Sequence, residues 1–160
     1  MKDDGSEYNW LPGYEPSQAV LRARNSLVIA APLSVVWDQL IAATSWPKWF
    51  RLCQDVALPD GKVFLGAGMR FRWTMQGIRF DSAIYEFEPG RRLSWRSSNR
   101  LITTCHIWAF EQQNGGTNVV TVETQRGLLP TVLGFIVKPK LNNGQVVWLG
   151  SLAAQATSGV

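Results

Sequence analysis

Histidine is nearly absent from this sequence: His106 is the only one among 160 residues. A zinc or iron centre of the usual multi-histidine kind therefore cannot be assembled. The two cysteines, Cys53 and Cys105, lie far apart with no second pair, which argues against a zinc site and provides no disulfide framework. Both are expected to be small packing residues. No Gly-rich phosphate loop, Gly-x-Ser-x-Gly elbow or dinucleotide fingerprint occurs, and no cofactor or metal is expected. The longest apolar run, residues 128–137, is interrupted by Pro130 and stops at Lys138-Pro139-Lys140. It falls short of the roughly 20 residues needed to cross a bilayer, so no membrane span is expected. Residues 1–6 carry Asp3 and Asp4 where a secretory signal would place an apolar core, which makes a cytoplasmic location the expectation.

Clustered charge is also missing. Sixteen Lys and Arg against twelve Asp and Glu leave a formal charge of +4, but Arg70, Arg72, Arg79, Arg96 and Arg126 are scattered through predicted strands. Nucleic-acid recognition calls for gathered cations with aromatic platforms or a groove-reading helix. No nucleic-acid partner is expected, and the charge reads as solvated surface.

What the chain does have is apolar residues, 46% of the total, with eight tryptophans. A chain of this length buries one substantial core, so a single domain is expected over residues 21–156, preceded by an extended arm over residues 1–20. The arm is rich in aromatics and prolines (Tyr8, Trp10, Pro12, Tyr14, Pro16) without strand or helix period. Its aromatics either cap the domain or meet a second copy, giving a monomer or a homodimer.

Residues 20–29 suit a first strand. Ala31-Pro32 then opens a helix carrying Val36, Leu40 and Ala43 at helical spacing, because proline in the first turn loses no needed hydrogen bond. A short second helix follows near residues 46–50. The period then changes: Met69, Phe71, Trp73 and Met75 alternate with Arg70, Arg72 and Thr74, as in a half-buried strand. Gln76-Gly77 turns into a strand with Ile78, Phe80, Ser82 and Ile84 on one face, and Pro89-Gly90 turns into Leu93, Trp95 and Ser97. Asn114-Gly115 marks a tight hairpin. In residues 129–156, Leu141, Gln145, Trp148 and Leu152 share a helical face, while Pro139 and the glycines suggest a bend or break. One long helix and two shorter ones both fit.

This order of elements resembles the START-related SRPBCC superfamily, in particular its polyketide cyclase/dehydrase-like members. The resemblance is carried by Ala31-Pro32 with Val36-Trp37, Trp46-Pro47-Lys48-Trp49, Gly66-Ala67-Gly68, residues 88–95 (Glu-Pro-Gly-Arg-Arg-Leu-Ser-Trp), Gly115-Gly116-Thr117, and Glu123 with Gly127. It implies an α+β helix-grip fold, in which a curved antiparallel sheet wraps around a long C-terminal helix and encloses an apolar cavity for a small hydrophobic ligand; Pro139 and Gly144 depart from the usual continuity of that helix and leave a bend or break near Pro139 open. The superfamily holds carriers, receptors and enzymes alike, so function has to be argued from the site.

A turn on Asn114-Gly115 sets Phe110 opposite Val119, Trp108 opposite Thr121, and His106 opposite Glu123. Opposed residues on one sheet face have β-carbons roughly 4.5–5.5 Å apart. The lone histidine thus acquires a carboxylate neighbour on an apolar, inward wall. Turning on Gly115-Gly116 instead would leave Glu123 only diagonal to His106. The pair reads either as a polar spot that satisfies itself while lining a binding pocket, or as the acid/base couple of a cyclase or dehydratase. Further wall candidates for ligand contact are Phe71, Trp73, Phe80, Ile84, Leu93, Trp95, Trp108, Phe110, Thr121, Trp148 and Leu152. A third reading makes the aromatic arm and basic sheet exterior an interaction surface.

Overall fold

The computed structural model describes residues 7–159. Strand β1 (Leu21–Ile29) leads through Ala31-Pro32 into α1 (Leu33–Ile41), a single 3-10 turn and the short α2 (Trp46–Trp49). Six strands follow: β2 (Cys53–Ala57), β3 (Arg70–Met75), β4 (Ile78–Glu88), β5 (Arg92–Ser98), β6 (Thr103–Gln113) and β7 (Gly116–Arg126). Helix α3 (Leu128–Thr157) closes the chain. The strands form one antiparallel sheet in the order β1-β7-β6-β5-β4-β3-β2. Only β1 is out of sequence order, brought beside β7 by the passage through α1 and α2.

The turns have local causes. Gln76 and Gly77 both adopt positive φ, 51° and 80°, the pattern whose twist matches a two-residue hairpin. Gly115 does so as well, at 86°, and the β6–β7 register runs from Gln113↔Gly116 through Phe110↔Val119 and Trp108↔Thr121 to His106↔Glu123. The register expected from Asn114-Gly115 is the one formed. Strand β2 has no signal in the sequence. Only Cys53 of its five residues is buried, so it lacks the alternation that would announce a strand, and it is held as an edge by pairing with β3.

The concave face of the sheet receives the aromatic residues. Trp46, Trp95, Trp108 and Trp148 are fully buried, with Phe50 and Leu93 beside them. Trp148 of α3 stacks on Phe50 at 4.6 Å between centroids and meets Trp46 and Trp108 edge-on at 5.0 and 4.9 Å. Such pairs add about 0.5–1.5 kcal/mol each beyond area burial. Along α3, Leu141, Gln145, Trp148 and Leu152 are all buried, as their spacing predicts.

The expected interruption at Pro139 takes a different form. Helix α3 is continuous through Pro139, and its irregular backbone is at Leu133 (φ −116°, ψ 27°). Pro139 deprives the Phe135 carbonyl of its i+4 donor, but Pro139 and Phe135 are both exposed, so water can satisfy that oxygen. Pro130 sits in the first turn, where a missing N–H costs nothing.

The arm lies on the convex face. Tyr8 is buried against Ile107, Val120 and Val122, and the Arg92 guanidinium sits 4.8 Å over its ring. The Thr124 hydroxyl and the Arg126 guanidinium donate to the carbonyls of Tyr14 and Gly13. Within the chain, the arm caps its own sheet. Its first six residues fall outside the described residues.

Candidate functional site

A cavity of about 280 Å³ opens between the sheet and the N-terminal half of α3. Its apolar lining includes Trp73, Phe80 and Ile102 from the strands and Leu129, Leu141 and Trp148 from α3. Its polar lining is concentrated on β5, β6 and β7 and on one helical turn: Ser97, Thr104, His106, Glu123, Gln125 and Gln145. Leu133, Ile136 and Lys140 also line it and are exposed, so the mouth lies under the first half of the helix.

The pattern of inward residues explains the polar cluster. On β6 the even-numbered positions face the helix, and on β7 the odd-numbered ones do, so Thr104 and His106 come alongside Glu123 and Gln125. His106 is 3% exposed and Glu123 12%; the imidazole Nδ1 lies 3.5 Å from Glu123 Oε2. Nε2 shares a 2.7 Å hydrogen bond with the Thr121 hydroxyl. Burial drives both titrations away from charge: His106 falls to about 3 and Glu123 rises to about 7, the latter opposed by the Gln125 side-chain amide, which favours the carboxylate. Near neutrality the imidazole is therefore uncharged and the carboxyl holds a proton part of the time. The 3.5 Å contact is a long polar approach between two desolvated groups.

Gln125 is the other polar group of note. Its Nε2 donates to Glu123 Oε1 at 3.0 Å, while its Oε1 is buried with no hydrogen-bond partner among the described residues. The Trp148 indole N–H is likewise buried and unpartnered there. Gln145 differs, since its amide is pinned by Asn25 and reaches the Ala23 carbonyl.

Of the residues picked from sequence, His106, Glu123, Trp73, Phe80 and Trp148 line the cavity. Phe71, Ile84, Leu93, Trp95, Trp108, Phe110, Thr121 and Leu152 do not, although all are buried. The reason is that α1 and α2 fill the other end of the sheet. Trp37 packs edge-on against Phe110 and Phe87 at 5.3 and 5.5 Å, and Trp46 contacts Phe71 and Trp95. Thr121 supports His106 from behind. The cavity is thus displaced along the strands, away from the hairpin turn and toward Ile102, Thr104 and Gln125. Continuing the period of two past His106 and Glu123 reaches Thr104 and Gln125. Nothing in the sequence shows that the apolar start of α3 forms the mouth. Among the described residues, no group of three or more His, Cys, Asp or Glu could hold a metal ion.

Comparison with known proteins agrees with this architecture. In solved structures, the chain superposes on the Helicobacter pylori hypothetical protein jhp0584 with a TM-score of 0.86 at 23% identity, covering 92% of this chain and 95% of that one. It superposes on the Zhui aromatase/cyclase of a Streptomyces species with a TM-score of 0.72 at 15% identity, covering 85% and 93%. A curated relative, oxopyrrolidines biosynthesis cluster protein O of Penicillium oxalicum, is 26% identical over 76% of this chain and 80% of its own length. Residues 21–152 match the family described as polyketide cyclase / dehydrase and lipid transport, and the chain belongs to that family.

Proposed function

We propose that the cavity binds a compact, flat, largely apolar molecule that carries a hydrogen-bond donor. The observation that carries this reading is Gln125 Oε1, buried and unpartnered in the wall of an otherwise mostly apolar cavity. A buried acceptor without a donor costs about 1–3 kcal/mol, and a ligand hydroxyl or N–H would recover that. The volume sets the size: about 280 Å³ is roughly twice the ~150 Å³ that accommodates benzene in an engineered cavity, which suits a two-ring guest. Relatives named for aromatase/cyclase activity agree with a ring-bearing ligand.

Naphthol and naphthalene differ by the hydroxyl alone and test the idea directly. Both should raise the melting temperature, with naphthol about tenfold tighter, the equivalent of one buried hydrogen bond. Gln125→Leu should erase that preference. If neither compound shifts the melt, or naphthalene binds as tightly as naphthol, the proposal fails.

A second reading, an enzyme of the cyclase or dehydratase kind, is favoured by the charge state of the polar spot. Both nitrogens of His106 face protein groups, Thr121 and Glu123. Glu123 is then the group that exchanges a proton with a guest, and the neutral His106 ring orients it. Tetralone, a fused-ring ketone with an exchangeable α-hydrogen, provides an assay in heavy water by NMR. Wild-type protein should accelerate the exchange, and Glu123→Gln should abolish it while leaving tetralone affinity within a few-fold. Equal loss of binding and exchange would leave only the binding role.

A further inference from the structure

The first half of α3 is apolar on two opposite sides. Its inner side faces the cavity with Leu129, Leu133 and Val137. Its outer side presents Leu128, Val132 and Phe135, which are 62%, 60% and 77% exposed. These three stand at i, i+4 and i+7, one above another on the helix surface. Leu101, also exposed, extends the strip where the loop before β6 touches the helix start; its carbonyl accepts from the Leu129 N–H at 3.0 Å. Between them lies a shallow recess of about 230 Å³ walled by Leu101, Leu128, Leu129, Val132 and Leu133. A helix that is apolar all round is ordinarily buried, and among the described residues nothing covers this side.

The charges around the strip indicate what does. At 100° per residue, Lys138 falls on one flank of the line through Val132 and Phe135, while Lys140 lies at the cavity mouth, and both are exposed. Arg100 is exposed next to Leu101. No Asp or Glu occurs anywhere in residues 124–160. Two copies meeting face to face through this strip would bring like charges together. An anionic lipid surface matches both features, since the apolar ridge can enter the acyl boundary while the cations meet headgroups.

We propose that the outer face of the first half of α3 docks on an anionic membrane surface, setting the cavity mouth against the bilayer. Phe135, Val132 and Leu128 insert, and Lys138 with Arg100 contacts acidic headgroups. An apolar guest would then pass between the bilayer and the cavity beneath the same helix without crossing water.

The full chain should co-sediment with vesicles of phosphatidylcholine mixed with phosphatidylserine, bind pure phosphatidylcholine at least several-fold more weakly, and release as salt is raised. The double variant Val132→Ser with Phe135→Ser should lose vesicle binding about tenfold or more. Lys138→Glu should remove the preference for phosphatidylserine. Neither change touches a cavity-lining residue, so thermal melts and naphthol affinity should stay as in the wild type. That independence separates failure here from failure of the proposed ligand binding. Absence of wild-type binding to either vesicle overturns the proposal. So does a doubled mass in solution that the Phe135 and Val132 changes return to a monomer, because the strip would then be covered by a second copy.

Discussion

Glu123→Gln should make this protein more stable, and by an amount that depends on pH. In the folded protein burial holds the Glu123 carboxyl at about 7 against an ordinary value of 4.5. Between those values the unfolded chain has released a proton that the folded chain keeps, so stability falls as pH rises through the window and stays reduced above it. At ~1.4 kcal/mol per pH unit, the whole span is worth about 3 kcal/mol. His106 acts in the opposite sense. Its folded value is about 3 against 6.5, so stability falls as pH drops from 6.5 towards 3, where the unfolded chain takes up a proton that the buried ring refuses. From about 4.5 to 6.5 the two slopes cancel. The wild type should show a plateau there, a steep loss below it and a small further loss just above. Glutamine keeps the shape of the side chain and an oxygen to accept from Gln125 Nε2, but has no charge to desolvate. Urea denaturation of both proteins near pH 4 and near pH 8 tests this. The advantage of the variant should be about 3 kcal/mol larger at the higher pH. A constant offset between the two proteins at both pH values would show that Glu123 is not desolvated as described, and the acid/base reading of the site would lose its basis.

Two contrasts test the fold. A β-carbon on Gly116 would stand 2.1 Å from the Ile29 carbonyl oxygen, while one on Gly115 meets nothing within 4 Å. Gly116→Ala should therefore cost at least about 3 kcal/mol through backbone displacement. Gly115→Ala should cost only the ~1–2 kcal/mol of a positive φ, and thermal melts that rank them otherwise would contradict the β1–β7 packing. Tyr8→Ala removes the ring beneath Arg92 and uncovers Ile107, Val120 and Val122. It should lower stability by roughly 2–4 kcal/mol without changing naphthol affinity, since the arm lies on the side of the sheet away from the cavity.

Most of the architecture could be read from local chemistry. The order of elements and the alternation of Phe71 and Trp73 against Arg70 and Arg72 are legible in the sequence, the resemblance carried the helix-grip fold, and of the two registers left open the turn on Asn114-Gly115, which opposes His106 and Glu123, is the one formed. Period two told which side each residue faces but not how far along the sheet the space beneath it is filled. That depends on Trp37 and Trp46, which enter from α1 and α2 and occupy the end where Trp108 and Phe110 point. A core position and a cavity position have the same sequence signature. Strand β2 is not legible in the sequence, because an edge strand with one buried residue lacks the alternation that marks a strand. Pro139 left one long helix and two shorter ones both open, because an exposed turn of helix tolerates the proline that a buried one would not.

The pairing of β1 with β7 has a consequence for how the chain reaches this structure. Ala23 lies opposite Glu123, so one end of the sheet is sealed only when segments a hundred positions apart in sequence find each other. The five strands from β3 to β7 can assemble through successive hairpins, each closing a short loop at small entropic cost. The first strand has no partner until the last is in place. Rapid zippering from the middle outward, followed by a slower docking of β1 and α3, is the order that this topology favours. During synthesis the opening strand and α1 leave the ribosome long before their partners exist. The polar spot at His106 and Glu123 would then acquire its apolar surroundings in the final step, when the helix closes over it.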